Sequence, residues 1–255
     1  MRAKTILLLL IALLFTFVVS AQTRYPKREF RGAWIQCVNG QFQGMPTEKI
    51  QRLLINQLNS LQGAGINAII FQVRAEADAL YKSSYEPWSR FLTGVQGRVP
   101  SPYWDPMQFM IDECHKRGIN VIIDFVMNHT SSQHEWFQTA YQYLQGLPKG
   151  AEPDASECPY VDYYNFSKEK LGGYYPVEGT DWYYEAQFWS EMPDLNWDNE
   201  MLKTEFEQIV QFWLDLGVDG FRLDAVKEFY SGADEKNIAV LTWFNDMVKS
   251  KKEEC

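Results

Sequence analysis

The chain has 255 residues, of which 46% are hydrophobic, 15% aromatic and 22% charged. This composition is that of a globular protein and excludes a disordered or fibrous chain. The formal net charge is -9. A surface with this excess of negative charge repels phosphate backbones, so we expect no nucleic acid among the partners.

Residues 1–21 have the pattern of a secretory signal peptide. Two basic residues precede an apolar run from Ile6 to Val19, and the small pair Ser20-Ala21 follows. The alternative is an uncleaved anchor helix, but the run is shorter than the roughly 20 apolar residues that span a bilayer. We therefore expect a secreted or periplasmic protein that is cleaved after Ala21 and has no membrane span afterwards.

Three segments share one form, in which a glycine precedes a continuous apolar run: Gly65–Phe71, Gly118–Asp124 and Gly217–Asp224. The glycine can adopt the left-handed conformation that ends a helix, and the run is too continuous for a half-exposed strand. Each segment therefore predicts the joint between a helix and a buried strand.

Helical patterns precede the three joints and one more follows the last: Thr47–Gln62, Pro106–Lys116, Met201–Leu216 and Asn237–Lys251. A fourth strand is predicted within Phe30–Cys37. Strands that alternate with helices indicate parallel βα units. We predict an α/β fold, a partial TIM (β/α)8 barrel of about four βα units. Residues 28–129 form its first units and residues 201–255 its continuation.

Residues 130–200, after the third strand, are longer than a barrel connection needs and are predicted to form an inserted domain. The stretch from Trp136 to Trp197 holds 16 of the chain's 39 aromatic residues. Aromatic faces flanked by Asp, Glu and Asn suit sugars, whose C–H faces stack on rings. We expect most of these rings to form a small core of the insertion itself and a minority to line a groove.

The four cysteines are Cys37, Cys114, Cys158 and Cys255. They have no metal-ligand spacing, and their even number does not establish disulfides. We expect most of them to be buried thiols.

Polar side chains follow two of the predicted strands. Asp124, Asn128 and His129 end the second joint strand, and Arg222 and Asp224 end the third. Chemistry in parallel α/β folds sits beyond the carboxyl ends of the strands, and positions 222 and 224 point to the same side of a strand. A guanidinium keeps a carboxylate ionised and oriented, as a nucleophile requires. An ordinary structural ion pair is the alternative, but the second polar cluster favours a site.

Three motifs carry a family resemblance. Asp124–Thr130 and Gly220–Lys227 resemble the first and second signature regions of glycoside hydrolase family 13, the α-amylase family. Met192–Asn196 resembles the short signature in that family's protruding B domain, and it lies between the other two. The resemblance covers about 115–255. It implies a retaining hydrolase that acts on α-glucosidic bonds of starch-like glucans.

The resemblance also implies roles for individual residues. Asp224 is the implied nucleophile that forms a β-glucosyl-enzyme, and Arg222 orients it. Asp124, His129 and Lys227 are the implied substrate-binding residues.

A calcium ion that bridges the barrel and the B domain is implied too, with Asn128, Asp194 and Glu228 as ligands, since oxygen ligands suit that hard cation. The second region ends Lys227-Glu228 where the family has Lys-His. A backbone carbonyl can still reach calcium there, whereas a substrate contact through the histidine ring is lost.

The front half resembles a different family, the glycosyl-hydrolase-like 10 family of secreted barrels, over about 28–118. The resemblance rests on Arg28–Ile35, Phe71–Ala75, Tyr85–Ser89 and Trp104–Pro106. This half lacks the His-Gly-Tyr type segment that family 13 enzymes carry before their first signature. The chain is thus predicted to be a hybrid of two barrel families joined within Glu113–Ile119, whether by recombination, by assembly artefact or by construction.

Family 13 enzymes bring a general-acid glutamate and a stabilising aspartate on strands that follow the nucleophile. Neither has a match in this chain, so we expect a fragment with little or no amylase activity and with a tendency to associate through open sheet edges. Two alternatives stay open. One is a non-catalytic carbohydrate-binding protein that uses the aromatic insertion. The other is a hydrolase that uses the front-half carboxylates Glu76, Asp78 or Glu86.

Overall fold

The computed structural model describes residues 29–252, so the predicted signal peptide and Cys255 lie outside the described residues. Within that range no helix is both long and apolar enough to cross a membrane. The described residues from Gly32 onward belong to one compact unit, and residues 29–31 belong to another. Of the latter unit three residues are described, and there Arg31 pairs with Glu29 at 2.9 Å.

Four parallel strands form the central sheet, in the order β1-β2-β3-β7. They are β1 (Gly32–Ile35), β2 (Ala68–Phe71), β3 (Asn120–Val126) and β7 (Gly220–Asp224). All four residues of β2 are buried, as predicted, whereas in β3 only Val121, Ile123 and Phe125 are buried and they alternate with partly or fully exposed residues. An α/β fold with a parallel sheet is confirmed, and all four predicted strands are present.

The described residues contain six α-helices: α1 (Thr47–Gly63), α2 (Arg90–Thr93), α3 (Pro106–His115), α4 (Glu135–Gly146), α5 (Glu200–Asp215) and α6 (Asp234–Lys251). The four predicted helices correspond to α1, α3, α5 and α6. Capping fixes where two of them start, since Asp105 accepts from the backbone N–H of Gln108 in α3 and Asn199 from that of Met201 in α5. The sequence did not predict α2 or α4.

The three joint glycines have positive φ angles, as predicted: 81° at Gly65, 66° at Gly118 and 101° at Gly217. Gly217 has a second constraint, because a Cβ at this position would lie 3.3 Å from Cγ2 of Ile111 on α3. Glycine therefore ends α5 and also lets the chain pass close to α3 before it enters β7.

The stretch between β3 and α5 holds α4, a 3-10 turn (Pro159–Asp162) and a small antiparallel sheet. The sheet has the order β4-β6-β5, with β4 (Phe166–Ser167), β5 (Tyr174–Pro176) and β6 (Tyr183–Glu185). Six of the 16 rings are buried and eight are half-buried, and the expectation that they form a small core of this stretch itself is wrong for the six buried ones. They join the cluster that also covers the central sheet. Trp197 makes this connection, because its indole packs against Phe206 and Trp243 of the helices α5 and α6.

Cys37, Cys114 and Cys158 are buried free thiols, which confirms the expectation for these three. Burial raises the pKa of Cys37 and of Cys114 to about 12. A thiol with so high a pKa is a weak nucleophile at neutral pH, so neither cysteine is a candidate for catalysis.

Candidate active site

The carboxyl ends of β3 and β7 bring together Asp124, Arg222 and Asp224, which we call the Arg222 cluster. The register pairs Arg222 with Asp124 and Asp224 with Val126. Nη1 of Arg222 lies 2.9 Å from Oδ1 of Asp124 and 2.8 Å from Oδ1 of Asp224. The hydrogen bond to Asp124 is the main cause that raises the pKa of Arg222, and the charges of both carboxylates add to it. Arg222 thus lies between two carboxylates, whereas the sequence predicts a pair with Asp224 alone.

The Arg222 cluster is open to solvent. The three side chains are each between a third and a half exposed, so a ligand can reach the carboxylates. Backbone geometry contributes to the opening, because Ala225 has a positive φ of 52° and turns the chain away directly after Asp224. A turn of this kind at the end of a strand is common where a side chain must be presented to a ligand.

Trp34, on β1, contributes an aromatic face next to this cluster. Its ring centroid lies 5.8 Å from Cζ of Arg222, in a cation-π contact. In the described sheet β1 and β7 are the two edge strands, so the contact spans two intervening strands and requires a curved sheet. No local pattern marks which strand residue reaches the opposite edge of the sheet, so the sequence does not predict this position for Trp34.

His129 follows β3 and lies beside Asp224. Burial lowers the pKa of His129, while the charge of Asp224 acts in the opposite direction. The net direction is downward, so the ring is neutral at pH 7. Its Nδ1 is buried and has no hydrogen-bond partner among the described residues. Phe188, which is exposed, contacts the ring at a centroid distance of 5.8 Å.

Asn128 and Asp194 meet behind His129. Asn128 Nδ2 donates to Oδ1 of Asp194 at 2.8 Å, and the backbone N–H of Gln187 donates to Oδ2 at 2.9 Å. Burial raises the pKa of Asp194 to about 7, and the negative charges of Glu185 and Glu228 act in the same direction. The predicted calcium ligands Asn128 and Asp194 are therefore in direct contact.

One observation suggests that a hard cation fits here. Oδ1 of Asn128 is buried without a hydrogen-bond partner among the described residues, and it lies next to the buried carboxylate of Asp194. Within residues 29–252 no group of three or more His, Cys, Asp or Glu side chains is placed to hold a metal ion. A cation here therefore needs the Asn128 amide and backbone oxygens as well. Glu228 is half-buried and its Oε2 accepts from Ser231 at 2.7 Å.

Lys227, predicted to bind substrate, has an exposed side chain. Its backbone carbonyl accepts a hydrogen bond from Nδ2 of Asn237 at 2.8 Å, which ties the loop after β7 to the start of α6. Lys227 thus contributes to the loop through its backbone.

The front-half carboxylates form their own contacts in the connection between β2 and α3. Arg90 donates to both oxygens of Glu76, at 2.9 and 2.7 Å. Glu86 pairs with Arg74 and accepts from the hydroxyl of Tyr81 at 2.9 Å. Asp78 is fully buried, and its Oδ2 has no partner in the described residues. Two of the three acids are thus paired within this connection.

Comparison with known families gives two matches. The model for the catalytic domain of alpha amylase matches residues 104–251, and the model for glycosyl hydrolase-like 10 matches residues 29–144. The first match covers more than half of the chain. The chain therefore belongs to the α-amylase catalytic-domain family, and both resemblances seen in the sequence are confirmed.

Individual relatives cover part of this chain. Alpha-amylase 3 of Dictyoglomus thermophilum is 41% identical over 146 residues, which are 56% of this chain and 26% of that protein. The trehalose synthase/amylase TreS of Mycolicibacterium smegmatis is 39% identical over 138 residues, 48% of this chain and 21% of that protein. The chain thus spans about a quarter or less of the length of these curated relatives.

Solved structures also match this chain over only part of their own length. Amy13B of Eubacterium rectale is 45% identical with a TM-score of 0.64, and the match covers 79% of this chain and 38% of that chain. A trehalose-6-phosphate hydrolase of Bacillus licheniformis is 22% identical with a TM-score of 0.60. This match covers 89% of this chain and 43% of that chain, and it supports the fold alone.

Proposed function

We propose that this chain carries the nucleophile-bearing part of an α-glucan-acting, retaining glycoside hydrolase. In this proposal the sheet is part of a (β/α)8 barrel and residues 130–200 are its B-like insertion. The observation that carries the proposal is the position of Arg222 between Asp124 and Asp224 at the carboxyl ends of neighbouring strands. The names of the relatives, an alpha-amylase and a trehalose synthase/amylase, support the substrate class.

In this mechanism Asp224 attacks the anomeric carbon of an α-linked glucose unit. The bond to the leaving oxygen breaks, a β-glucosyl ester forms on Asp224, and water later cleaves the ester with net retention. Arg222 holds the attacking carboxylate in one orientation through its hydrogen bond. His129 is neutral and can donate to a sugar hydroxyl, while Asp124 can accept from another.

Departure of a sugar alcohol also needs a proton donor, which is worth roughly 10²- to 10⁴-fold in rate. The four strands of the central sheet carry two carboxylates, Asp124 and Asp224, and both are bonded to Arg222. We therefore propose that the 255-residue chain reacts with activated glucosyl donors and does not hydrolyse starch.

Calcium is the proposed structural ion. Asn128 and Asp194 would hold it, with Glu228 close enough to influence the charge of Asp194. When bound, the ion supplies positive charge that offsets the buried carboxylate. It acts on structure in this proposal, since Asn128 and His129 are adjacent and an ordered Asn128 fixes the backbone that carries His129.

A second candidate is carbohydrate binding without catalysis, favoured by a cavity of about 430 Å³ in the insertion. Aromatic and amide side chains line it, among them Tyr174, Trp182 and Asn165. If this cavity alone binds glucan, binding persists unchanged in variants of the Arg222 cluster and falls in Trp182→Ala.

Labelling with α-glucosyl fluoride tests the main proposal, because fluoride leaves without a strong acid. We expect slow addition of one glucosyl unit to the intact chain, located at Asp224 by peptide mass spectrometry and abolished in Asp224→Asn. Asp215→Asn, an exposed change on α5, is the matched control and labels normally. Labelling that persists in Asp224→Asn, or a parent chain that never labels, contradicts the proposal.

Starch hydrolysis provides the second readout. We expect none above background. Robust hydrolysis that survives Asp224→Asn assigns the chemistry to another site, and Glu76, Asp78 and Glu86 are then the carboxylates to replace.

Export is proposed on the leader pattern of residues 1–21 alone. Amino-terminal sequencing of the protein from the culture medium or periplasm tests it. A chain that begins at Gln22 supports cleavage after Ala21, and one that begins at Met1 contradicts it.

A further inference from the structure

An aromatic face is available at the Arg222 cluster from the part of the chain that the α-amylase family model does not match. Trp34 is 45% exposed although it belongs to a strand of the central sheet. Its ring lies 5.8 Å from Cζ of Arg222, which contacts both carboxylates. The family match begins at residue 104, so Trp34 is a feature of the front half.

We propose that the Trp34 indole is a stacking platform for a glucose ring of the glucan that binds at the Arg222 cluster. The proposal rests on the proposed function and names a substrate-binding residue for it. The indole is large and apolar, and a ligand that covers it gains from removing that surface from water. The C–H face of a pyranose ring is a surface of suitable size and character.

The charges at the site fit a neutral ligand. Asp124 and Asp224 together outweigh the single positive charge of Arg222. An anionic ligand would meet net negative charge, whereas a neutral sugar can offer hydroxyl donors to the two carboxylates. The same sugar can lie with its apolar face on Trp34.

Trp34 could instead serve only to hold Arg222 through the cation-π contact. The two roles differ in what a replacement does. A stacking platform requires a flat ring that the ligand can cover, so an aliphatic side chain removes it and a smaller ring retains part of it. A role confined to Arg222 predicts changes in labelling rate without a change in sugar affinity.

The test uses the full chain with Asp224→Asn, which prevents turnover, and measures maltotriose binding by isothermal titration calorimetry. We expect Trp34→Leu in this background to lower the affinity about tenfold, equivalent to about 1.4 kcal/mol. The loss of maltotriose affinity should be smaller in Trp34→Phe than in Trp34→Leu. Tyr85→Leu is the control, because it removes an exposed aromatic ring from a residue whose backbone N–H donates to Ser83. This variant should bind maltotriose as tightly as the parent does.

Melting temperatures are measured for each variant, and Trp34→Phe decides the case if Trp34→Leu does not fold. If the parent binds maltotriose and both Trp34 variants bind equally well, the stacking role is wrong while the proposed function stands. Equal losses in the Leu and Phe variants also overturn the role, because they show that the ring face is not what binds. If the parent does not bind maltotriose, the glucan site itself is contradicted, and the platform with it.

Discussion

Trp197 donates a hydrogen bond from its indole nitrogen to the backbone carbonyl of Met127, at 3.1 Å. This bond joins the end of the stretch between β3 and α5 to the residue that follows β3. Leu195 adds a second link, because its backbone N–H donates to the carbonyl of Asn128 at 2.9 Å. The backbone that carries Asn128 and His129 is therefore fixed by residues about 70 positions later in the chain.

Replacement of Trp197 tests this link. Its side chain is 1% exposed and packs against Phe206, Phe229 and Trp243. We expect Trp197→Ala to lower the free energy of unfolding by about 3–5 kcal/mol, the usual cost of deleting a buried aromatic side chain. Trp197→Phe keeps much of the packing but leaves the Met127 carbonyl unpaired, so we expect a smaller loss of about 1–3 kcal/mol. Urea denaturation measures both, and a Trp197→Phe variant as stable as the parent chain would contradict a separate contribution from the hydrogen bond.

Arg222 is the subject of the second prediction. Arg222→Lys retains a positive charge but cannot place a guanidinium nitrogen between Asp124 and Asp224. A hydrogen bond to a charged group is worth about 1.5–3 kcal/mol, so the rate of Asp224 labelling by α-glucosyl fluoride should fall about 10- to 100-fold. Arg98→Lys, at an exposed position, is the control. A normal labelling rate in Arg222→Lys would show that the arginine does not orient the nucleophile.

Calcium addition and removal give the third prediction. A ligand that binds the folded state alone raises the melting temperature, so we expect a rise with calcium that EDTA reverses. Asp194→Asn should abolish the response because it removes the carboxylate charge while keeping the side-chain shape. Asp246→Asn, an exposed change on α6, should keep it. A calcium effect that survives in Asp194→Asn places the ion elsewhere.

The fourth prediction concerns pH and Asp219, which precedes β7. Burial alone raises the pKa of Asp219, but hydrogen bonds from the backbone N–H of Val121 and from His115 and Lys252 outweigh it, so the net pKa is lowered. A carboxyl group with a lower pKa in the folded state stabilises the fold above its unfolded pKa of about 3.9, and this contribution is lost as the pH falls through the folded pKa.

We therefore expect Asp219→Asn to cost about 1–3 kcal/mol of unfolding free energy at pH 7 and progressively less below about pH 4. Denaturation across pH 3–7 measures the difference from the parent chain, with Asp215→Asn as the control. A difference that stays constant over this range would mean that the ionisation of Asp219 does not stabilise the fold.

The sequence predicted the central sheet because its signals are local. A glycine before a continuous apolar run is enough to place β2, β3 and β7, and their carboxyl ends predict where Asp124 and Asp224 lie. The short strands β4 to β6 have two or three residues each, too few for a periodic pattern. Their position depends on burial of rings such as Tyr184, which a local pattern does not show.

The contacts that define the site were less predictable. Sequence placed Arg222 and Asp224 on one side of a strand, but the contact with Asp124 depends on the register between β3 and β7. The approach of Trp34 to Arg222 depends in addition on the curvature of the whole sheet. Curvature arises from the twist of all strands together, so no single segment carries that information.

Residues 104–144 match both family models, and this shared stretch contains α3 and β3. Strand β3 hydrogen-bonds to β2, from the front half, and to β7, from the back half. These hydrogen bonds join backbone groups, so they do not depend on the side chains of the neighbouring strands or on the family from which those strands come. A sheet of this type can therefore exchange whole strand-helix modules at a helix, provided that the incoming helix has the length that keeps its strand in register.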